Sequence, residues 1–336
     1  MTFVQSQPMK LVMTLLARDE ADILDAQLSY HLSAGVDFVI AIDNDSQDGT
    51  TDILESYARQ GCLHLIREHR DLVANASEWR SRMARLAACE FEADWVMSSD
   101  ADEFWWPRGG SLKEVLAAVP EQYGIVQAFW RSFVPRPDDD AFFADRMIVR
   151  LSQQAPINDP TSFYRPVIKV AHRADPHVLV ACGNHTFFDS SFLPLATWHP
   201  LEVLHFPLRS RAQWTRKVQL QGNAFTKHIE RAGTGYHLKG YDALRAGRIH
   251  EQYESLVVDD AALERGIADG TLGVDSRLRD ALRTLRAGGR LTFAAPTDAE
   301  DVAYAVETAV LDEAYIVRAQ RRLDALEQRL ESLEAE

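Results

Sequence analysis

Three carboxylates follow an apolar segment of the chain within a few positions. Asp100, Asp102 and Glu103 come after the run that begins at Trp95 and ends at Met97. Carboxylates this close resist ionising together unless a cation or a hydrogen-bond network compensates them. Hard divalent cations such as Mn²⁺ or Mg²⁺ take oxygen ligands, often one or two carboxylates together with substrate phosphates. Asp100 and Asp102 therefore predict a metal–diphosphate site, with a solvated acidic turn as the alternative for an Asp-x-Asp triplet.

A second polar cluster spans residues 43–50 and also follows an apolar run. Carboxylates and amides in such a place can accept hydrogen bonds from a base imide or a ribose hydroxyl. Asp48 and Thr50 fit a structural role, because they can satisfy backbone donors at a turn and at the start of a helix. Helix capping does not require the two further carboxylates of Asp43 and Asp45, so we predict that they contact a nucleotide.

Arg18 stands at the end of the first apolar run, residues 11–17. Its guanidinium can form charge-assisted hydrogen bonds to a phosphate or to another part of a nucleotide. The neighbouring Asp19 has a simpler explanation as the cap of the helix that follows. Arg18 is therefore a further candidate for nucleotide binding.

The elements that carry these clusters alternate between strand and helix patterns. Apolar runs predict strands, and periods of three to four residues between them predict helices. This order is typical of a mostly parallel α/β sheet with right-handed crossovers, in which ligands bind at the carboxyl ends of the strands. The three polar groups all fall at such ends. The strands are predicted at 11–17, 38–42, 63–66 and 94–98, and the helices at 20–34, 50–60 and 74–89.

The pattern changes after the first 130 residues. A further strand is predicted at 125–134, a long loop at 135–166, and short strands at 167–170, 177–180, 186–188 and 203–206. From residue 209 onwards the chain has a helical pattern, interrupted around 288–296. We therefore expect an α/β sheet flanked by helices, followed by a helical C-terminal region.

Composition limits the class of protein. The 336 residues are 46% hydrophobic, enough for a large core in one large or two modest domains. A net charge of -14 argues against nonspecific binding to nucleic acid or to anionic membranes. Three widely spaced cysteines fit reduced thiols, and no apolar run reaches the roughly 18 residues of a membrane span. We expect a cytoplasmic protein, with peripheral attachment at the inner face of the membrane left open.

Several motifs together resemble a known enzyme family. In this order they are similar to family-two glycosyltransferases of the GT-A fold, and most similar to a bacterial branch whose metal motif reads D-x-D-E-F. The resemblance covers roughly residues 10–220, with Asp19 departing from the Asn that the family often carries. The motifs are Leu16–Glu20, Asp43–Thr50, Asp100–Phe104, Gly183–His185 and His205–Ser210.

The resemblance implies a metal-dependent transferase that uses a nucleotide-diphosphate sugar. A glycan or another hydroxyl compound would be the acceptor, in the synthesis of a bacterial surface polysaccharide or another glycoconjugate, and the mechanism would be inverting. Asp43 or Asp45 would hold the nucleoside, and Asp100 would lie near the ribose or the metal. Asp102 would bind Mn²⁺ or Mg²⁺ bridging the diphosphate, whose growing charge the metal stabilises.

The later motifs imply further site residues. His205 follows an apolar run, and similar enzymes often supply a metal ligand from this part of the chain. Arg209 and Lys217 come shortly after it and would contact the diphosphate. For the group that deprotonates the acceptor, the candidates are Glu103 and Asp189, and His185 is expected on the acceptor side or the metal side. Glu103 has an alternative role as a brace for the loop of the metal motif.

Three segments are expected along the chain. Residues 1–206 would form the nucleotide-sugar-binding and catalytic domain, 207–297 a helical region on the acceptor side, and 298–336 a long helix. Apolar residues alternate at steps of three and four in the tail, which is typical of a short coiled-coil seam. Both a homodimer and an intramolecular helical hairpin would satisfy it. The seam residues are Ile316, Ala319, Leu323, Leu326, Leu330 and Leu333.

Two other classes of protein compete with the transferase. A nucleotidylyltransferase shares the sheet and the carboxylate–metal chemistry, but it would carry a glycine-rich basic loop after the first strand. Here that loop, residues 17–20, contains no glycine. A non-catalytic sugar-binding, nucleotide-binding or scaffold protein would be favoured by loss of the metal carboxylates, and Asp100 and Asp102 are intact.

Overall fold

A computed structural model describes residues 9–137, 141–152, 164, 167–188, 192–195, 198–227 and 235–334. The described strands are β1 (Leu11–Ala17), β2 (Phe38–Asp43), β3 (Leu63–Arg67), β4 (Trp95–Asp100), β5 (Glu103–Pro107), β6 (Tyr123–Ser132), β7 (Val149–Leu151), β8 (Ile168–Arg173), β9 (Leu179–Val180), β10 (Phe187–Phe188), β11 (Leu193–Leu195), β12 (Leu201–His205) and β13 (Leu272–Val274). The described helices are α1 (Leu24–Ser33), α2 (Thr50–Arg59), α3 (Leu72–Cys89), α4 (Leu112–Ala117), α5 (Phe143–Arg146), α6 (Arg211–Lys227), α7 (Gly235–Arg245), α8 (Ile249–Glu254), α9 (Asp260–Ala268), α10 (Arg277–Arg286) and α11 (Asp298–Glu334).

The large sheet is mixed and mostly parallel. Its strand order is β3-β2-β1-β4-β8-β6-β12-β5, with β11 paired to β6 beside this path. Strands β1 to β4 pair in parallel, as do β6 and β12, whereas β8 runs antiparallel to β4 and β6 and β5 antiparallel to β12. The expected α/β sheet with a helical C-terminal region is confirmed. Strand β5 was not predicted, because its first residue belongs to the acidic motif.

Helices cover both faces of the sheet, which explains why its strands are continuous apolar runs. Successive side chains of a strand point to opposite faces. On β1, Leu11, Met13 and Leu15 belong to one buried cluster, which also includes residues of α1 and α4. Val12 and Leu16 belong to a second cluster on the other face, with residues of α3. The strand ends are thereby held rigidly between two layers of helices.

The predicted loop at 135–166 contains regular structure in its described part. Helix α5 and strand β7 lie there, and β7 pairs antiparallel with β13, a short strand of the C-terminal region. Pairing across about 120 residues has no local signal, so the sequence pattern gave no indication of it. This small sheet joins the C-terminal helices to the main domain.

Helix α11 packs on the sheet along its first half. Tyr304, Thr308 and Leu311 are buried there, and Leu311 packs in a cluster with Phe129 and Val170 of the sheet. From Glu313 onwards, every side chain of α11 that the structure describes is exposed. In the described residues, no helix is both long and apolar enough to cross a bilayer.

Candidate active site

The polar clusters of β1, β2 and β4 meet at one edge of the sheet. In the parallel register, Ala17 lies beside Asp43, and Leu16 lies beside Asp100. The Arg18 Nη1 atom donates a hydrogen bond to Asn44 Oδ1 over 3.0 Å, which ties the first two loops together. The predicted convergence of these motifs at the carboxyl ends of the strands is therefore what the structure shows.

Asp43 shapes the loop after β2. Its Oδ1 atom accepts from the Ser46 hydroxyl at 2.6 Å and from the Ser46 backbone at 3.2 Å, and its Oδ2 accepts from Thr51 at 2.5 Å. Asp45 is half-buried, adopts a φ of +54°, and contacts His69. Of the two carboxylates, Asp45 is the more accessible to a ligand.

Asp19 joins the loops after β1 and β2. Its Oδ1 atom accepts from the Gln47 backbone at 2.6 Å, and its own backbone N–H donates to Ser46 Oγ at 3.1 Å. Its φ of +54° lies in the left-handed region, where Asp is tolerated better than most residues. Position 19 therefore has a structural role, but the helix cap predicted for it is wrong, because α1 begins at Leu24 after Ile23 and has no side-chain cap.

Asp100 is held by two cations. The Lys169 ammonium donates to Oδ2 at 2.6 Å, and Arg80 Nη2 donates to Oδ1 at 3.1 Å. Burial raises the pKa of Asp100, but Lys169 and Arg80 outweigh it and hold the pKa well below its usual range. Asp100 is therefore ionised at neutral pH.

Asp102 is buried between a lysine and a histidine. The Lys217 ammonium donates to its Oδ2 at 2.7 Å, and the His205 Nε2 atom lies 3.7 Å from its Oδ1. Burial raises the pKa of Asp102, but Lys217 and then His205 lower it more, to about 2. This carboxylate is ionised and faces a second group that can act as a metal ligand.

His205 is held in a fixed orientation. Its ring stacks on Trp130 with a centroid separation of 3.7 Å, and burial lowers its pKa to about 3, with Asp102 opposing. The buried Nδ1 atom has no hydrogen-bond partner in the described part of the protein. The ring is therefore neutral at physiological pH, which is the form that binds metal ions.

Asp102 and His205 fit a shared divalent cation. Two ligand bonds of about 2.1 Å can join atoms up to about 4.2 Å apart, so a separation of 3.7 Å allows one ion to touch both. Across the described residues, no three or more His, Cys, Asp and Glu side chains converge as a ready metal cage. Mg²⁺ is usually held by one or two carboxylates together with substrate phosphates and waters, so Asp102 supplies the ligand it prefers, and His205 adds a nitrogen ligand that transition metals accept more readily.

Glu103 is fully buried behind the metal motif. Its carboxylate accepts from the Asp100 backbone at 2.9 Å and from Trp130 Nε1 at 2.8 Å, and it pairs with Lys169 at 2.9 Å. Burial raises its pKa to about 7, against Lys169, with Asp100 and Asp102 adding to the rise. These contacts match the alternative role of a brace for the loop.

Lys169 is a central residue that the sequence analysis missed. It is 1% exposed, and besides its two carboxylates it donates to the Gly183 carbonyl at 2.9 Å. Its signal in the sequence was a single lysine within the predicted apolar strand 167–170. Arg80 on α3 was missed as well, because a lone arginine on a helix carries no such signal.

The Gly183–His185 turn lies beside Lys169. His185 Nδ1 donates to the Ile168 carbonyl at 2.8 Å, and burial, together with Lys169, lowers its pKa to about 3. Gly183 has a φ of +79°, and a Cβ there would lie 2.4 Å from His185 Nε2. Glycine is therefore required for the imidazole to take this position.

Arg209 joins the start of the helical region to the loop after β1. It is buried, its Nε donates to Asp22 at 2.7 Å, and it also contacts Glu20 and the Phe206 carbonyl. Burial raises the pKa of Glu20 to about 7, with Arg209 and Lys217 opposing. Glu20 stood in the first motif but was not predicted as a site residue. No pattern in the sequence marked Asp22 as part of the site.

The predicted site residues thus fall into three groups. The first makes one connected cluster, the second stands at the adjacent strand ends, and Asp189 lies outside the described residues. Arg209 connects to the cluster through Glu20, beside Asp102 and Lys217. The connected cluster contains Asp100, Asp102, Glu103, His185, His205 and Lys217, and the adjacent strand ends carry Arg18, Asp43 and Asp45.

A mixed α/β sheet with ionised carboxylates at the carboxyl ends of its strands defines the class as an α/β protein, and ligands of such proteins bind at that edge of the sheet. The sequence model of glycosyltransferase family 92 matches residues 13–192, more than half of the chain. The chain therefore belongs to glycosyltransferase family 92. This confirms the prediction of a glycosyltransferase, although the resemblance named a different numbered family.

Solved structures of low identity are similar to the chain. One is the crystal structure of S. aureus TarS 1–349 in complex with UDP, at 13% identity and a TM-score of 0.35, covering 86% of this chain and 95% of that one. Another is glucosyl-3-phosphoglycerate synthase from Mycobacterium tuberculosis with Mn²⁺, UDP and phosphoglyceric acid, at 16% identity and a TM-score of 0.24, covering 39% of this chain and 44% of that one. No curated protein sequence matches the chain.

Proposed function

We propose that this protein is a metal-dependent, inverting glycosyltransferase that moves a sugar from a nucleotide-diphosphate sugar to a glycan or another hydroxyl acceptor. Family membership supports sugar transfer. The observation that carries the rest is the placement of Asp102, which faces neutral His205 at 3.7 Å and the Lys217 ammonium at 2.7 Å. A carboxylate, an imidazole and an ammonium at one point suit a metal ion and a diphosphate.

Asp102 and His205 would hold Mn²⁺ or Mg²⁺, with Asp100 next to them. The ion would stabilise the charge that grows on the departing nucleoside diphosphate. Asp100 is fixed by Lys169 and Arg80, so its position does not depend on the ion. The two aspartates of the motif therefore have separate roles, with Asp102 as ligand and Asp100 near the ribose.

Lys217 is the cation that we assign to the diphosphate. Its side chain is 20% exposed, which leaves the ammonium within reach of a ligand in the site. Arg209 is more deeply buried, and Asp22, Glu20 and the Phe206 carbonyl already accept its hydrogen bonds. Arg209 is therefore better suited to holding Glu20 and Asp22 in place than to touching a phosphate.

The nucleoside would lie against the ends of β1 and β2. Asp45 is the accessible carboxylate there, and Arg18 presents a guanidinium that Asn44 orients. Asp43 supports this pocket indirectly, since its oxygens hold Ser46 and Thr51. We therefore expect Asp45 to contact the base or the ribose of the nucleotide.

Deprotonation of the acceptor needs a base that the acceptor can touch. Glu103 is enclosed by Lys169, Trp130 and the Asp100 backbone, so we assign it a positioning role. His185 has a pKa of about 3, which makes it a weak base, and its buried ring suits the wall of the acceptor side. Asp189 stays a prediction for the base.

The test is nucleotide binding with and without metal. We expect UDP, GDP, CDP or dTDP, one of them at about 100 times its dissociation constant, to stabilise the protein by about 2.7 kcal/mol in the presence of Mn²⁺. Asp102→Asn should lose the metal-dependent part of the shift and at least about 100-fold in release of nucleotide from the sugar donor. Differential scanning fluorimetry and a nucleotide-release assay measure the two effects.

The matched control is Asp52→Asn, an exposed aspartate in the first turn of α2. It should keep both the metal-dependent shift and the activity of the wild type. Circular dichroism should show that both variants are folded. An absence of any nucleotide shift in the folded wild type, or an unchanged shift in Asp102→Asn, would overturn the proposal.

A further inference from the structure

The second half of α11 extends beyond the part that packs on the sheet. The helix spans 37 residues, and its buried positions in the described part are Tyr304, Thr308 and Leu311. Ile316 is 69% exposed, although isoleucine is among the residues most often buried. The described exposed side chains of this half are Glu313, Ile316, Val317, Gln320, Asp324, Glu327 and Gln328.

The sequence of this exposed half has a heptad pattern. Ile316, Leu323 and Leu330 occupy a positions, and Ala319, Leu326 and Leu333 occupy d positions. Upstream, the same register falls on Val302, Ala305 and Ala309, which are all exposed. Asp312, the next d position, pairs with His199 at 2.9 Å, so the apolar seam begins after it.

The anchored half favours helix formation in the exposed half. Starting a helix in water is unfavourable, because the first turn fixes several residues for one hydrogen bond. Tyr304 and Leu311 already hold the preceding turns on the sheet, so the exposed half continues an existing helix. A short seam can then associate without the cost of nucleating two free helices.

We propose that the exposed half of α11 pairs with the same segment of a second copy of this chain in a parallel two-stranded coiled coil. The charged residues that flank the seam favour a second copy of this chain as the partner and a parallel orientation of the two helices. Arg322 and Arg329 occupy g positions, and Glu327 and Glu334 occupy e positions. In a parallel coiled coil, each g position lies beside the e position of the next heptad on the partner. In the proposed dimer, Arg322 of one copy would therefore lie beside Glu327 of the other, and Arg329 beside Glu334. The same two contacts would occur on each side of the seam.

The opposite direction would place like charges together. In an antiparallel pair, g positions lie beside g positions and e beside e, so arginines would meet arginines and glutamates would meet glutamates. An intramolecular hairpin was the other reading of the seam. The exposure of Ile316, a seam residue, and of Val317 beside it is evidence against such a hairpin.

The first test is the mass of the full-length protein in solution. At 100 µM we expect a mass near twice 37.9 kDa by light scattering, with dissociation on dilution because the seam is short. Leu326→Asp should weaken association at least about 100-fold, since it places a charge in the seam. Gln328→Asp adds the same charge at an f position, outside the seam, and should leave association unchanged. A monomer at 100 µM, or a dimer that survives Leu326→Asp, would overturn the proposal.

The second test is the direction of pairing. The double variant Arg322→Glu with Arg329→Glu should weaken the dimer about tenfold, because both g–e contacts become repulsive. Adding Glu327→Arg and Glu334→Arg should restore it. With Cys62, Cys89 and Cys182 replaced by serine, two Leu326→Cys copies should form a disulfide when diamide is added as the two-electron oxidant, since d positions face each other in a parallel pair. A stable dimer that neither responds to the charges nor crosslinks at this position would overturn the parallel arrangement.

Discussion

Two clusters of largely buried charge, one at each end of β12, differ in the pKa values of their carboxylates. Glu202, near the start of β12, is paired with Arg277 at 2.8 Å, Arg108 at 3.2 Å and Arg131 at 3.3 Å. Burial raises its pKa, but Arg131 and Arg277 outweigh it and lower the pKa to about 2. The same arginines also pair with Asp301, Glu307 and Asp275, so acids and cations are balanced in this cluster and form a strong structural connection.

At the other end of β12, neighbouring carboxylates differ in their pKa values. Glu103 and Glu20 have pKa values raised to about 7, in each case chiefly by burial, while the pKa values of Asp100 and Asp102 are lowered. Neighbouring acids with divergent pKa values are typical of functional sites. The comparison shows that burial and cations alone do not mark a site. The difference in pKa between neighbouring acids does.

The Glu202 cluster holds the C-terminal helices on the sheet. Arg108 and Arg131 lie over the Tyr304 ring of α11 at 3.8 and 4.8 Å, and Arg277 belongs to α10. A cavity of about 770 Å³ adjoins this cluster, lined in part by Trp106 and Phe293. The charged groups in its wall pair with one another, so the cavity itself does not indicate a ligand.

Removing Glu202 should have the largest effect on stability. Glu202→Ala leaves Arg131 buried with its charge only partly compensated, and we expect a loss of about 3–5 kcal/mol in the free energy of unfolding. Glu264→Ala, at an exposed position of α9, should change it by less than about 0.5 kcal/mol. Urea denaturation followed by circular dichroism measures both. A loss for Glu202→Ala no larger than that of the control would contradict the structural role of the cluster.

Removing Lys169 should have a smaller effect, although this residue is equally buried. Arg80 still compensates Asp100 in Lys169→Met, and Glu103 can take up a proton, so we expect a loss of about 1–3 kcal/mol. The double variant Lys169→Met with Glu103→Gln should lose less unfolding free energy than the sum of the losses in the two single variants, because both changes remove the same ion pair. Strict additivity in this double-mutant cycle would show that the two side chains do not interact.

The raised pKa of Glu103 should appear in the pH dependence of stability. A carboxyl with a raised pKa binds its proton more tightly in the folded state, so its contribution is present below pH 4.5 and is lost as the pH rises through about 7. Glu20 acts in the same window. Glu103→Gln should therefore reduce the fall in unfolding free energy between pH 5 and 8 by about 2 kcal/mol, leaving the part due to Glu20. Identical pH profiles for the variant and the wild type would show that Glu103 does not titrate there.

The sequence could predict the frame of the site, and by resemblance the cations Arg209 and Lys217, but not which carboxylates the cations pair with. Asp100 and Asp102 were found because an apolar strand followed by acids is a local pattern. Their partners come from remote segments, since Lys169 lies 69 residues after Asp100, and Lys217 lies 115 residues after Asp102. Such pairs depend on which strands become neighbours. The register of β8 against β4, with β8 antiparallel, is fixed by tertiary packing and not by residue spacing.

The same limit explains the misjudged surroundings of Glu103. Adjacent acids suggested a turn, whereas the chain continues as strand β5, and Glu103 pairs in register with His205 of β12. A strand that begins with a buried glutamate contradicts ordinary strand composition. Here Lys169 and Trp130 compensate the carboxylate, and both belong to neighbouring strands.

Lys217 is a tethered competitor for the cation that Asp102 would bind. Because it belongs to the same chain, its concentration near the carboxylate is set by the fold and does not fall on dilution. A metal ion that arrives alone must displace this ammonium and leave it without a counter-ion. An ion that arrives with a diphosphate gives Lys217 a new anionic partner. If the proposed site binds a metal ion and a diphosphate, the pair would couple the two ligands thermodynamically, so that each raises the affinity for the other by the same factor.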